Sequence, residues 1–195
     1  MCMRMQIIRT EYLMCAGDFP KSPDWESIHA DIARSVQLIN HVEQGHNCVE
    51  SSGSSSLQKD LCPIWREAFV SELKSLGWQP NFHLADTLNI ATPFDASWSV
   101  GNRHTCVELE TGDIQHANAT LCRMALGIVK GVIACAVLVV VHDAHRFEPQ
   151  TTSVAFAQVA NYLDLWRAVR VSEGLLVVIS AGPSQVPAMD TLTLA

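Results

Sequence analysis

Glu108 and Glu110 stand two residues apart in Cys106-Val107-Glu108-Leu109-Glu110. In an extended strand that spacing turns both carboxylates to one face and Val107 and Leu109 to the other. Like charges this close repel by up to roughly a few kcal/mol where water is partly excluded, so a site that keeps both ionised calls for a cation. Mg²⁺ suits one or two carboxylates together with the oxygens of a substrate phosphate. Taken alone, E-x-E on a half-exposed strand is more often a solvated face. Here Thr111-Gly112-Asp113 follows directly, which sets Glu110 at a strand end beside a helix start, where α/β active sites gather. Asp95, in Pro93-Phe94-Asp95, falls on the preceding strand, and a short antiparallel connection brings it beside the glutamates. Its competing reading is a turn aspartate after proline.

The elements that must position these acids are legible around them. Ser22-Pro23-Asp24-Trp25-Glu26 predicts a helix start, with a serine cap, proline at the first helical position and acids in the first turn. Trp25, Ile28, Ile32, Val36, Ile39 and Val42 then recur at helical spacing on one face. Residues 45–60 open on a Ser- and Gly-rich polar stretch read as a flexible loop. A second helix is predicted over about 63–76, with Trp65, Phe69, Leu73 and Leu76 on one side and Gly77 as its stop. Residues 84–90, 94–100 and 105–111 read as a meander of antiparallel strands. Asp113 caps a third helix carrying Leu121, Met124, Ala125 and Ile128, and Gly131 ends it before a buried strand over 132–141. Strand, helix, buried strand is a parallel crossover unit. A fourth helix from Ser153, with Phe156, Val159, Leu163 and Trp166, leads to a strand over 175–180. The expected fold is α/β: one domain over 1–195 with a central mixed sheet flanked by helices, and no element assigned to 183–195.

Composition excludes several classes. With 48% hydrophobic and 17% charged residues, the chain is core-rich and folded rather than disordered. The apolar run 132–141 is half of the roughly 20 residues needed to cross a bilayer as a helix. No apolar leader with a cleavage site stands at the N-terminus. Seven scattered cysteines without a C-x-x-C pair argue against a disulfide framework or a zinc ribbon and fit reduced thiols in a cytoplasm. A formal net charge of −7 weighs mildly against nucleic acid, although whole-chain charge says little about one face of a molecule that must gather acids around a metal.

The stretch 100–130, VGNRHTCVELETGDIQHANATLCRMALGIVK, resembles the catalytic segment of BamHI-type type II restriction endonucleases within the PD-(D/E)-x-K nuclease class. E-x-E-T-G leading into a helix carries the resemblance, with Glu110 where most of the class has lysine. Pro93-Phe94-Asp95 matches the Pro-x-Asp element, and Pro63-Ile64-Trp65-Arg66-Glu67 is similar to a Pro-Ile-(basic)-Glu helix start upstream. The resemblance implies a restriction-endonuclease-like fold, metal held by Asp95, Glu108 and Glu110, and Glu110 alternatively as general base for the attacking water. It also implies Mg²⁺, double-stranded DNA, a homodimer for cutting a symmetric site, and products with 5′-phosphate and 3′-hydroxyl ends. Contacts to DNA fall to Asp113, Gln115, His116 and Arg123. The chain departs from the family in this helix start, usually rich in Asn and Ser with an Arg, and it lacks a later Thr-Asp-Arg segment, having Phe147-Glu148-Pro149-Gln150-Thr151 there.

Other chemistry-bearing residues each have an ordinary surface reading. His142 and His145 follow the buried strand without a third ligand, Glu67 lies on a polar helix face, and Arg103, Arg123 and Lys130 are explained by solvation as well as by phosphate contact. The competing functions are a repair or structure-specific nuclease on the same core, and a DNA- or partner-binding domain without catalysis.

Overall fold

The computed structural model describes residues 5–45, 56–84, 92–111, 114–141, 156, 159–160 and 162–183. They build one six-stranded mixed sheet with helices on both faces, the layout expected from the sequence. The strands are β1 (Met5–Ala16), β2 (Gln79–Phe82), β3 (Phe94–Val100), β4 (Arg103–Glu110), β5 (Ile133–Val141) and β6 (Gly174–Pro183), in spatial order β1-β6-β5-β4-β3-β2. β4, β5 and β6 run parallel, whereas β2, β3 and β1 pair antiparallel with their neighbours.

The helices are α1 (Pro23–Gly45), α2 (Ser56–Ser75), α3 (Ile114–Val129) and the short α4 (Leu163–Arg167). At the start of α1 the Ser22 hydroxyl accepts the Trp25 N–H at 3.3 Å, satisfying one of the orphan donors of a helix N-terminus. Trp25, Ile28, Ile32, Val36 and Ile39 are buried from α1, and Trp65, Phe69 and Leu73 from α2, against Val107, Leu109, Val137, Val139, Val177 and Ile179. The Trp78 indole N–H, donated to Asp31 at 2.9 Å, ties the chain just after α2 to α1.

The opposite face carries Cys106, Ala136, Leu138, Val140, Leu176 and Val178, covered by Leu121, Met124, Ala125 and Ile128 of α3 and by Val159 and Leu163. Every residue of β5 is buried, because a parallel strand between two helical layers has no wet side. α3 approaches the sheet closely at Gly127, where a Cβ would stand 2.3 Å from Ile133 Cδ1. Gly131, at φ +73°, then turns the chain into β5 as expected.

Three expectations are corrected. α2 begins at Ser56, seven residues ahead of the expected start, with Pro63 inside it rather than at its first position. The first strand of the meander is Gln79–Phe82 rather than 84–90; most of 84–90 lies outside the described residues, although Leu84 is buried. Pro80 suits β2 because an edge strand leaves N–H positions unpaired. β1 was not expected at all: irregularities between Ile7 and Arg9 and between Tyr12 and Met14 break the alternation by which strands are read. Of the loop expected over 45–60, residue 45 ends α1, 56–60 belong to α2, and 46–55 lie outside the described residues, as do the Asp113 cap, His142, His145, the start of the fourth helix and the tail after 183.

Candidate functional site

β4 presents its residues as the period-two rule requires. Val107 and Leu109 face α1 and α2, while Glu108 meets Thr120 and Arg123 of α3. The expected half-wet face is not found: Glu108 and Glu110 are each only 5% exposed. Two adjacent acids are thus held inside the protein, which is costly unless each finds compensation.

Along one edge β4 is paired to β5 from His104 to Glu110. Along the other, the ladder to β3 stops at Ala96 opposite Val107. The next two positions in that register, Asp95 opposite Glu108 and Phe94 opposite Leu109, are not paired, and Phe94 joins the core on the α3 face. Side chains take over where the backbone withdraws. Asp95 Oδ2 accepts the Leu109 N–H at 2.7 Å, and Arg66 Nη2 of α2 donates to the Leu109 carbonyl at 2.8 Å. Arg66 Nε lies 3.5 Å from Asp95 Oδ1. Asp95 therefore sits against β4 between the positions of Glu108 and Glu110, as the meander predicted.

Glu108 accepts from Arg123 Nη2 at both oxygens, at 3.1 and 2.8 Å, and from the Thr120 hydroxyl at 3.0 Å. Arg123 also donates to the Thr92 carbonyl at 3.0 Å and lies 5.2 Å from the centroid of the Phe94 ring. It thereby links α3, Glu108 and the chain just before Asp95. Glu110 accepts the Thr111 N–H at 3.0 Å.

Burial pushes the Asp95 carboxyl above its ordinary range, against the pull of Arg66 and the Leu109 N–H; the charge of Glu110 adds to the upward push. Glu108 is raised for the same first reason, opposed by Arg123 and the Thr120 hydroxyl, with Asp95 adding repulsion. Asp95 thus feels the charge of Glu110, and Glu108 that of Asp95. Together they make a pocket of negative charge that two guanidinium groups only partly offset, and a further cation there would favour the ionised carboxylates.

Among the described residues no three His, Cys, Asp or Glu side chains stand close enough to make a finished ligand shell. The donors nonetheless fit a hard divalent ion in kind, being carboxylate oxygens and the Leu109 carbonyl at one strand end. In this structure the positive charge beside Asp95 and Glu108 comes from Arg66 and Arg123.

Of the residues expected to face DNA, Gln115 and His116 are exposed in the first turn of α3. Asp113 is outside the described residues, and Arg123 turns inward to Glu108. Arg103 pairs with Glu173 at 2.6 Å, at the opposite end of β4. The sequence reading missed Thr120 and the placement of Arg66. The signal for Arg66 was the basic residue in Pro63-Ile64-Trp65-Arg66-Glu67; Thr120, a polar residue on the inner side of α3, left none that spacing could decode.

The sequence profile of the family described as restriction endonuclease BamHI matches residues 5–189. The chain belongs to the BamHI restriction endonuclease family. Its mixed sheet with flanking helices is accordingly a restriction-endonuclease-like fold. Among solved structures, the restriction endonuclease BglII complexed with a DNA 16-mer is 18% identical, with a TM-score of 0.44 over 60% of this chain and 53% of that one. The aligned part thus spans about half the length of that relative. A search of curated proteins returned no match.

Proposed function

We propose that this chain is a Mg²⁺-dependent endonuclease that hydrolyses phosphodiester bonds of double-stranded DNA, with Asp95, Glu108 and Glu110 as its catalytic and metal-holding residues. The observation that carries the reading is the burial of Glu108 and Glu110 at the end of β4, beside an aspartate that replaces the broken β3 ladder. A solvated acidic strand would show neither feature. Membership of a restriction endonuclease family supports DNA as the substrate.

In this reading Asp95 and Glu108 hold the ion, and Glu110 either shares it or takes the proton of the attacking water. When bound, Mg²⁺ supplies charge for the phosphoryl oxygens and lowers the pKa of a water. Arg123 and Thr120 fix the Glu108 carboxylate, and the Leu109 N–H fixes that of Asp95. Gln115 and His116, with Asp113, are placed to meet DNA from the start of α3. The working form is proposed to be a cytoplasmic homodimer, matching a two-fold DNA site. Ala119, Cys122, Leu126 and Val129 form an exposed stripe of small and apolar residues along α3 at three- and four-residue steps, which suits helix-to-helix contact between copies. No helix among the described residues is long and apolar enough to cross a membrane.

A second reading, a DNA-binding domain without catalysis, is favoured by Arg123 engaging both Glu108 oxygens. Plasmid DNA incubated with the protein in Mg²⁺, Ca²⁺ or EDTA separates the two. Discrete fragments in Mg²⁺ that vanish with EDTA and with Glu108→Ala are the expected result. Retained DNA binding with no cutting in any metal overturns the catalytic reading, and cutting confined to branched or damaged DNA turns it into a repair nuclease.

A further inference from the structure

Two guanidinium groups stand against the carboxylates, and they are held very differently. Arg123 donates to Glu108, Thr120 and Thr92, lies near the Phe94 ring, and leaves its side chain 18% exposed. It is fastened on several sides. Among the described residues Arg66 has one hydrogen bond, to the Leu109 carbonyl, and one looser ion pair, to Asp95, with its side chain 45% exposed.

What Arg66 touches matters as much as how loosely it is held. A carboxylate oxygen of β3 and a main-chain carbonyl of β4, side by side, are the oxygen donors that a hard divalent cation takes. A guanidinium has no lone pair to offer and does not deprotonate, so it cannot join a coordination shell and can only repel its centre. Arginine and ion therefore compete for the same two oxygens. Water stands ready for a half-exposed side chain on a long flexible stem, so the cost of releasing it is small. Releasing Arg123 instead would strand Glu108 in a buried pocket without its counter-charge.

We infer that Arg66 is an exchangeable counter-cation: it holds Asp95 and the Leu109 carbonyl in the metal-free protein and leaves them when a divalent ion arrives, while Arg123 stays in place. The inference rests on the reading of Asp95 as a metal ligand given above. Arg66 is thus a positioning residue that sets metal affinity, and its role is visible without any cleavage.

The test is Mn²⁺ binding followed by titration calorimetry on the full chain without DNA, in wild type, Arg66→Gln, Arg66→Lys and Asp95→Asn. Arg66→Gln is expected to bind on the order of tenfold tighter, from the loss of one nearby positive charge discounted for solvent exposure. Arg66→Lys should stay near wild type, and Asp95→Asn should lose binding. Unchanged or weaker binding by Arg66→Gln, with Asp95→Asn still abolishing it, overturns the exchange and leaves the metal site standing. Binding that is absent from every variant, or untouched by Asp95→Asn, overturns the metal site and the exchange together. A measurement on wild type alone guards against a poorly folded variant. On adding Mg²⁺ the side-chain Nε–H resonance of Arg66 should shift and its solvent exchange should quicken, while that of Arg123 stays protected. An Arg66 resonance indifferent to Mg²⁺ overturns the exchange.

Discussion

The two edges of β4 follow opposite rules. Toward β5 the strand is paired from His104 to Glu110, and from Thr105 onward the residues on both sides are buried. Toward β3 the zipper fails after Val107, and Asp95 and Arg66 satisfy the N–H and carbonyl of Leu109 with side chains. A backbone ladder is the economical way to satisfy a buried peptide group, but it is chemically inert. Replacing one rung with an aspartate and an arginine keeps the peptide group satisfied and delivers charge to the strand end. The difference teaches where a sheet can hold charged groups without opening its core, which is at a rung that side chains complete.

That contrast can be broken most severely through catalysis. Asp95→Ala on the side-chain edge should lower plasmid cleavage on the order of 10³-fold, while Val139→Ala on the zipped edge should leave cleavage near wild type below its melting temperature. Equal losses from both would erase the distinction. The next effect is on stability. Arg123→Met strands a buried Glu108, and urea denaturation should show a loss of about 3 kcal/mol. Pairing it with Glu108→Gln should recover part of that loss, because the stranded charge is gone, and a simple sum of the two single losses would mean that the pair does not interact. Val139→Ala should itself cost about 2 kcal/mol in the same assay, since it empties space in a closed core.

The smallest expected effect concerns pH. Asp95 and Glu108 are raised in the folded protein, so as pH falls from neutral toward the ordinary carboxylate range the folded chain takes up protons before the unfolded chain does. Stability from these two groups therefore grows on acidification and is lost as pH rises through their raised values. In EDTA, the melting temperature of wild type should approach that of Asp95→Asn as pH drops from 7.5 toward 5. A gap that widens instead would mean that the side-chain edge carries no unrelieved charge.

Much of the contrast was legible in the amino-acid sequence. α1 declared itself through a serine cap and one apolar stripe, and β5 through an unbroken apolar run between glycine and histidine. The carboxylates were legible because two-residue spacing on a strand translates directly into a shared face. What stayed hidden was set by contacts distant in sequence. Arg66 reaches Leu109 across 43 residues, and nothing in α2 states that its helix will point there. Arg123 reads from sequence as an outward charge, toward DNA or solvent, because arginine usually is one; its inward turn follows from Glu108 being buried, which the local pattern did not reveal. β1 and β2 escaped for local reasons instead, through broken alternation in one and Pro80 with Asn81 at φ 51° in the other.

The sheet has a temporal side as well. β1 and β6, neighbours in space, join Met5 to Pro183, so their pairing waits for nearly all of the intervening chain to emerge. β3, β4 and β5 lie within residues 94–141 and need no such wait. Loop-closure entropy accordingly favours assembly from the acidic strands outward, with β1 docking among the last.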